Sequence, residues 1–355
     1  MKVLVLTKYP ERGPSSRYRF HQYFPRLRAQ GMALKVRPFF SQHYLDKLFA
    51  GKSVNALYLA WRCLIRMFVC LTNWRRDVVW IEGELLPFFP AWIERHLHRF
   101  LPKRRIYDFD DAVWFRYQDR MRLAGKYLSI LSDAEKVTAG NDYLAEYVQR
   151  AAAKTVLLPT VVEGDRYMKV QANLEGKVIG WIGSPTTVFF LENLRPVFQK
   201  LAINHDFELH VVGADLAWPE IKVVNWAWSE ATELDRIGHF DIGIMPLDQS
   251  EWAKGKCGLK LIQYMAAGVP ALASPVGVNT RLIQNSGGGL LVSNETQWLN
   301  GLAKLLDEKD LRRSLGRKGR AWTLRYLTVA AQAPTLIGVL EGKPVRGFKG
   351  CDTVP

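Results

Sequence analysis

Asp241-Ile242-Gly243-Ile244-Met245-Pro246-Leu247-Asp248 and, after a short gap, Lys254-Gly255-Lys256-Cys257-Gly258-Leu259-Lys260-Leu261-Ile262-Gln263-Tyr264-Met265-Ala266-Ala267-Gly268-Val269-Pro270-Ala271-Leu272-Ala273-Ser274 decide how this chain folds. The first run reads as a buried strand over Asp241–Met245. A basic, glycine-containing loop follows, then a helix that begins near Gly258 and stops at Gly268. Pro270 leads into the next strand, Val269–Ala273. Strand, helix and strand at this spacing form a parallel crossover. Lys254, Lys256 and Lys260 surround the helix N-terminus. Free N–H groups and the helix dipole already favour anions there, so the three cations complete a seat for a diphosphate.

The same alternation extends in both directions. Toward the N-terminus, strands are predicted at Lys2–Leu6, Ala33–Phe39, Asp77–Glu82, Arg104–Asp108, Lys136–Ala139 and Thr155–Leu158. A helix over Tyr18–Gln30 lies among them, with Phe20, Phe24 and Leu27 on one face. The rhythm breaks at Pro159–Gly176. It resumes with strands Lys177–Ile182, Phe207–Val212, the two quoted above, and Gly289–Val292. A long helix, Trp322–Leu340, interrupted at Pro334, closes the chain. The pattern predicts an α/β protein of two Rossmann-like, doubly wound domains facing across a cleft: residues 1–160, a linker 161–176, and residues 177–321. The terminal helix, about 322–343, is expected to pack back on the first domain. Ligands in such sheets bind beyond the carboxyl ends of the strands, so functional residues should follow the strands.

The chain has 355 residues, 48% apolar and 23% charged, which excludes disorder. Its formal charge is +15. Residues 1–150 hold 26 Lys and Arg against 14 Asp and Glu, and the remainder 23 against 20, so the excess is +12 in the first part and +3 in the second. An anionic partner is implied: a phosphorylated substrate, a membrane surface or nucleic acid. Signatures of the common RNA-binding and zinc-finger modules are absent, which argues against nucleic acid. Cys63, Cys70, Cys257 and Cys351 form no CxxC pair, and no HExxH occurs. Reduced thiols and a cytoplasmic location are expected. The apolar start, Val3–Leu6, is too short for a signal peptide. Ser53–Trp74 is apolar, but Arg62 and Arg66 would each cost about 2.5–3.5 kcal/mol at mid-membrane, so no span is expected. Instead Arg62, Arg66, Arg75, Arg76, Arg95, Arg99, Lys103, Arg104 and Arg105 could meet anionic lipid while Trp61, Phe68 and Trp74 insert, peripherally at the inner membrane face. The plainer alternative is an apolar core face with a solvated basic face.

Three strand ends carry candidate chemistry. After the first strand, Pro10–Arg19 supplies Ser15, Ser16, Arg17 and Arg19, a loop able to present N–H groups and cations to a phosphate or acceptor; an ordinary serine-capped turn is the alternative. Glu84, just past the third strand, joins this acceptor side. After Arg104–Asp108, the carboxylates of Asp108, Asp110 and Asp111 crowd together, which costs stability unless they are used. They read as a metal-binding pair, as hydroxyl-orienting or general-base groups with Asp110 and Asp111 catalytic, or as helix caps. In the second domain Gly183, Ser184, Thr186 and Thr187 close a strand and open a helix, as caps or phosphate donors.

The segment G-L-x-L-x-x-x-M-A-x-G-x-P-x-x-A-S, from Gly258 to Ser274 after the Pro246-Leu247 strand end, resembles the donor-binding core of glycosyltransferase family four, which has the GT-B fold. The similarity covers about residues 177–320. It implies transfer of a sugar from a nucleotide-sugar donor to a glycan or lipid-linked acceptor, with retention, and with neither metal nor cofactor. Donor contacts would fall on Gly183, Ser184, Thr186, Lys256, Gly258, Leu259, Lys260 and Gln263. The sequence departs from the family pattern at several points. The second residue of the family's Glu pair maps to Gln263, which can still bond ribose hydroxyls, and the first to Gly255. Ser184-Pro185-Thr186-Thr187 replaces the usual Arg and Lys after the first strand of the donor domain, a loss that Lys256 and Lys260 could offset. The family's strand-end His of the first domain maps near Asp110. A nucleotide-sugar epimerase of the same fold and a catalytically inactive sugar-nucleotide-binding partner remain open alternatives, with nucleic-acid binding a remote one.

Overall fold

A computed structural model describes residues 1–49, 55–151, 154–170 and 172–348. The chain divides into two compact units, Met1–Thr160 with Gln332–Lys349, and a second built around Val161–Ala331. Residues 161–176, expected as a linker, therefore enter the second unit, where Gly164–Met168 is helical.

The first unit holds β1 (Lys2–Leu6), β2 (Ala33–Val36), β3 (Val78–Glu82), β4 (Arg105–Phe109), β5 (Lys136–Ala139) and β6 (Thr155–Leu157). They form one parallel sheet in the order β2-β1-β3-β4-β5-β6. The order reverses between β1 and β3, the point where such sheets open a crevice for ligand. Val3, Val5, Val79, Trp80, Ile81 and Ile106 are fully enclosed, as expected of strands covered on both faces. The single predicted helix over 18–30 is broken into Pro14–Arg19, a turn at His21–Tyr23, and Phe24–Ala29. Phe20, Phe24 and Leu27 are buried as its pattern requires.

The second unit holds β7 (Val178–Ile182), β8 (Glu208–Val212), β9 (Lys222–Trp226), β10 (Ile242–Met245), β11 (Ala271–Ala273) and β12 (Gly289–Leu291), in the parallel order β12-β11-β10-β7-β8-β9. Its switch point lies between β7 and β10. Trp181, Phe198, Leu209, Ile242, Ile244 and Leu302 belong to its core. Strand β9 escaped the sequence reading: it is a partly exposed edge strand without an unbroken apolar run. The closing helix is two, Lys309–Tyr326 and Val329–Leu340. The break falls at Leu327-Thr328, not at Pro334. There the backbone leaves the helix to bond Val162, whose N–H donates to Leu327 O at 3.0 Å and whose carbonyl accepts from Val329 N at 3.0 Å. Cys63, Cys70 and Cys257 are free and buried; Cys351 lies outside the described residues.

Candidate functional site

In the first unit, the loop after β1 closes onto the end of β3. Glu82, the last residue of β3, accepts from Lys8 N at 2.7 Å, Ser15 Oγ at 2.7 Å and Ser16 Oγ at 2.5 Å. Tyr9 N in turn donates to Ser16 Oγ at 2.9 Å. Ser15 and Ser16 thus fix the loop to the sheet at the switch point. Burial raises the Glu82 carboxyl above its ordinary value, and the hydroxyl and amide donors oppose that shift.

Arg19, at the end of this loop, does not face an open anion site. Arg19 is 1% exposed and forms a two-pronged pair with Asp108, Nε–Oδ2 at 2.9 Å and a terminal nitrogen to Oδ1 at 2.7 Å. It also donates to Leu158 O at 2.8 Å. Arg17 is buried, lies over the Tyr18 ring at 4.5 Å and donates to its hydroxyl. Arg19 thus holds the fold rather than an anion. Glu84 is likewise engaged internally. It accepts from the hydroxyls of Tyr117 at 2.9 Å and Tyr127 at 3.0 Å and from Lys126 Nζ at 2.6 Å, while Lys126 also pairs with Glu94 at 2.7 Å.

Between these groups is a cavity of about 160 Å³ at the strand ends, lined among others by Lys8, Ser15, Glu82, Asp110, Asp111 and Arg116. Asp108 is saturated by Arg19, and Thr138 donates to it as well, so the alternative reading of Asp108 and Asp110 as a metal-binding pair does not fit its donor set. Asp111 accepts from Ala112 N at 2.9 Å, beside a short turn at Val113–Tyr117. Asp110 has no hydrogen bond among the described residues. Burial, then Glu82, raise its carboxyl to about 7, with Asp111 and Asp108 adding to the shift and Arg19 opposing it. A carboxyl poised near neutrality in a strand-end cavity is suited to take or give a proton. Glu82, Lys8 and Arg116 were not picked out from sequence. A lone Glu ending the apolar run Val78–Ile81 was the one available signal.

In the second unit, helix Leu259–Ala267 follows Gly258, whose φ of 71° is left-handed, and no side chain caps the N-terminus. That backbone conformation favours glycine, and a Cβ there would also press on the Leu282 side chain, 2.5 Å from Cδ1. Lys260 Nζ stands 4.0 Å from the Trp181 ring centre, and Lys256 Nζ 3.7 Å from that of Trp252. Gly183, at the end of β7, makes room for this arrangement: a Cβ there would lie 2.3 Å from Trp181 and 2.8 Å from Lys260 Nζ. Burial, then the neighbouring Lys256 charge, push the Lys260 amine down to about 7. The structure thus brings Gly183, Lys260 and the first turn of the helix together. Leu259 is partly exposed in that turn, and Gln263 is 3% exposed, so little of its amide faces solvent. The loop after Gly183 bonds within itself. Ser184 Oγ and Thr186 Oγ1 bond each other at 2.8 Å, and only the four-residue helix Phe189–Glu192 follows.

Comparison with known proteins agrees with this geometry. Residues 176–308 match the family model described as glycosyl transferases group 1. The putative teichuronic acid biosynthesis glycosyltransferase TuaH of Bacillus subtilis (strain 168) is 26% identical over 170 residues. That match spans 41% of this chain and 42% of the relative, so the chain covers about two fifths of that protein's length. Among solved structures, sucrose-phosphate synthase from Thermosynechococcus elongatus superposes with a TM-score of 0.69 at 15% identity, covering 96% of this chain and 98% of that one. Anabaena Alr3699/HepE, solved with UDP and glucose, gives 0.66 at 11% identity, covering 96% and 99%. The chain has the GT-B fold of two Rossmann-like domains. The similarity to the group 1 glycosyl transferases thus lies in residues 176–308, and the likeness to solved structures shows the GT-B fold.

Proposed function

We propose that this chain is a glycosyltransferase that moves a sugar from a nucleotide-sugar donor to a glycan or lipid-linked acceptor in polysaccharide biosynthesis. The observation that carries this reading is the pair Lys256 and Lys260 beside the uncapped helix N-terminus at Gly258, next to the strand-end Gly183. An uncapped N-terminus with adjacent cations suits a diphosphate. Uridine diphosphate, present in the HepE structure, is the first nucleotide to test. In the first unit, Asp110 is the acceptor-side acid–base group, with Glu82 and the Ser15-Ser16 loop shaping its pocket. Transfer proceeds with retention and without a metal. The relative named for teichuronic acid biosynthesis supports a cell-surface polysaccharide intermediate as acceptor, and the charge of the first domain supports contact with the inner membrane face.

Calorimetric affinity for nucleoside diphosphates tests the donor seat. A charge-assisted hydrogen bond contributes about 1.5–3 kcal/mol. Lys256→Ala and Lys260→Ala should each weaken binding by about ten- to a hundredfold, with free nucleoside unaffected. Wild-type diphosphate affinity in both variants would place the donor elsewhere. Incubation with donor alone separates an epimerase, which converts it, from a transferase.

A further inference from the structure

The helix Ala56–Thr72 is turned inside out. Leu57, Trp61, Leu64, Phe68 and Leu71 recur at spacings of four and three, which places them on one stripe roughly 80° wide. They are 79%, 60%, 57%, 66% and 44% exposed, and Trp74, just past the helix, is 59% exposed. The opposite face, with Cys63, Arg66, Val69 and Cys70, is buried. The helix's charged side chains, Arg62 and Arg66, point inward. Arg62 donates to the carbonyls of Pro38 and Phe39, and Arg66 to that of Thr7. The lipid contact expected of these two arginines is corrected by these bonds. A helix solvated by water shows the reverse pattern, and a contiguous exposed apolar face marks an interaction site.

The surroundings state what covers it. No Asp or Glu occurs between Asp46 and Asp77, an interval holding Lys47, Lys52, Arg62, Arg66, Arg75 and Arg76. Arg75 is exposed and stacks on Trp74, 4.6 Å from its ring centre. Helix Ala91–Leu97 and the turn His98–Phe100 pack against helix Ala56–Thr72. They bring Trp92, 71% exposed, and an open cavity of about 610 Å³ lined by Arg95, Arg99, Lys103 and Arg105 and by Asp133, which pairs with Arg95, so that Arg99 and Lys103 carry its excess positive charge. Among the described residues no helix is long and apolar enough to cross a membrane, so this one lies along a surface rather than through it.

We infer that this face docks on an anionic lipid bilayer, with Trp61, Leu64 and Phe68 in the acyl boundary and Arg75, Arg99 and Lys103 against the lipid phosphates. This names the surface behind the membrane contact proposed above, and it does not depend on the sugar chemistry. A second copy of the chain is the other occupant such a stripe could take. Charge decides between them. A facing copy would set one acid-free, cationic stretch against another, whereas anionic lipid supplies the missing sign.

Co-sedimentation with vesicles of phosphatidylcholine alone, and of phosphatidylcholine mixed with phosphatidylglycerol, tests the inference. The chain should bind the mixed vesicles at least about tenfold more tightly, and Trp61→Ser/Phe68→Ser should lose at least about tenfold of that binding. Both side chains are exposed, so the melting temperature should move by no more than about 2 °C. Leu64→Gln gives the same reading should the double variant misfold. Unchanged binding in these variants, or equal binding to both vesicle types, overturns the inference. So does a wild-type dimer, seen by velocity sedimentation, that Trp61→Ser/Phe68→Ser converts to monomer. Nucleoside diphosphate affinity measured without vesicles reports on the sugar-transfer reading alone, so the two can fail separately.

Discussion

Asp108 and Asp110 stand two residues apart at one strand end and meet opposite surroundings. Asp108 points into the fold, where the Arg19 fork satisfies it. Asp110 points into the strand-end cavity, where burial and Glu82 outweigh the opposing charge of Arg19. The sequence showed the crowding but not which carboxylate was taken, because Arg19 is 89 residues distant in the chain. The difference is measurable. Raised from an ordinary 3.8 to about 7, Asp110 keeps a proton in the folded state that the unfolded chain has released. Folding is therefore favoured at the acid end of that window and penalised as pH rises through it. Asp110→Asn should match wild type in stability below pH about 4 and exceed it by about 2 kcal/mol at pH about 8, a screened estimate for a partly exposed group. Urea unfolding at both pH values checks this. The same variant should lower kcat by about a hundredfold or more if Asp110 moves a proton. Lys260 gives a second titration. Its amine, near 7 in the free protein, should regain a proton when a diphosphate arrives. At pH about 8, binding should take up close to one proton, and at pH about 6 almost none. Calorimetry in buffers of different ionisation enthalpy measures the uptake, and Lys260→Ala should abolish it.

At the scale of elements, local chemistry made the strands and the helix after Gly258 legible. Buried parallel strands are continuous apolar runs, and glycines mark the helix ends at 258 and 268. Long-range pairing was not legible. Nothing near Thr328 announces that Val162 will pull the backbone out of a helix there, and Pro334 was the more visible but weaker breaker. Nor could the apolar pattern of residues 56–72 state which face turned inward, since burying Arg62 and Arg66 depends on carbonyls at Thr7, Pro38 and Phe39. The Arg19–Asp108 pair is the strongest case of such pairing, tying helix Pro14–Arg19 to β4 and to the chain after β6. Removing one partner of a buried pair costs about 3–5 kcal/mol because it strands the other charge. Arg19→Met should lose that much in urea unfolding. Arg19→Met with Asp108→Leu should lose markedly less, a non-additivity that a pair of independent surface contacts would not produce.

For the whole molecule, eleven of the twelve strands follow from a βα rhythm that an apolar count detects, β9 being the exception, and the lysines near Gly258 were found because they cluster in sequence. The strand-end pocket of the first unit was only half found, because Lys8, Glu82 and Arg116 come from separate segments that meet only once the sheet is formed. The proposed metal independence is tested on the whole protein. With lysines at the donor seat and Asp108 closed by Arg19, turnover should persist in excess EDTA, and complete loss restored by manganese would reverse this assignment.

The chain leaves the first unit after Thr160 and re-enters it at Gln332. That path has a consequence for synthesis. A ribosome reads in one direction, so the first unit is translated early yet completed late. Until residues 340–348 emerge, Arg104 lacks the Leu340 carbonyl, Lys136 lacks that of Lys343, and the Leu157 carbonyl lacks the Phe348 amide. A nascent chain stalled anywhere in the second unit therefore carries a complete first sheet whose edge at Leu157 is uncovered, and translational pauses there lengthen the time that edge waits, open to chaperones or to a neighbouring chain.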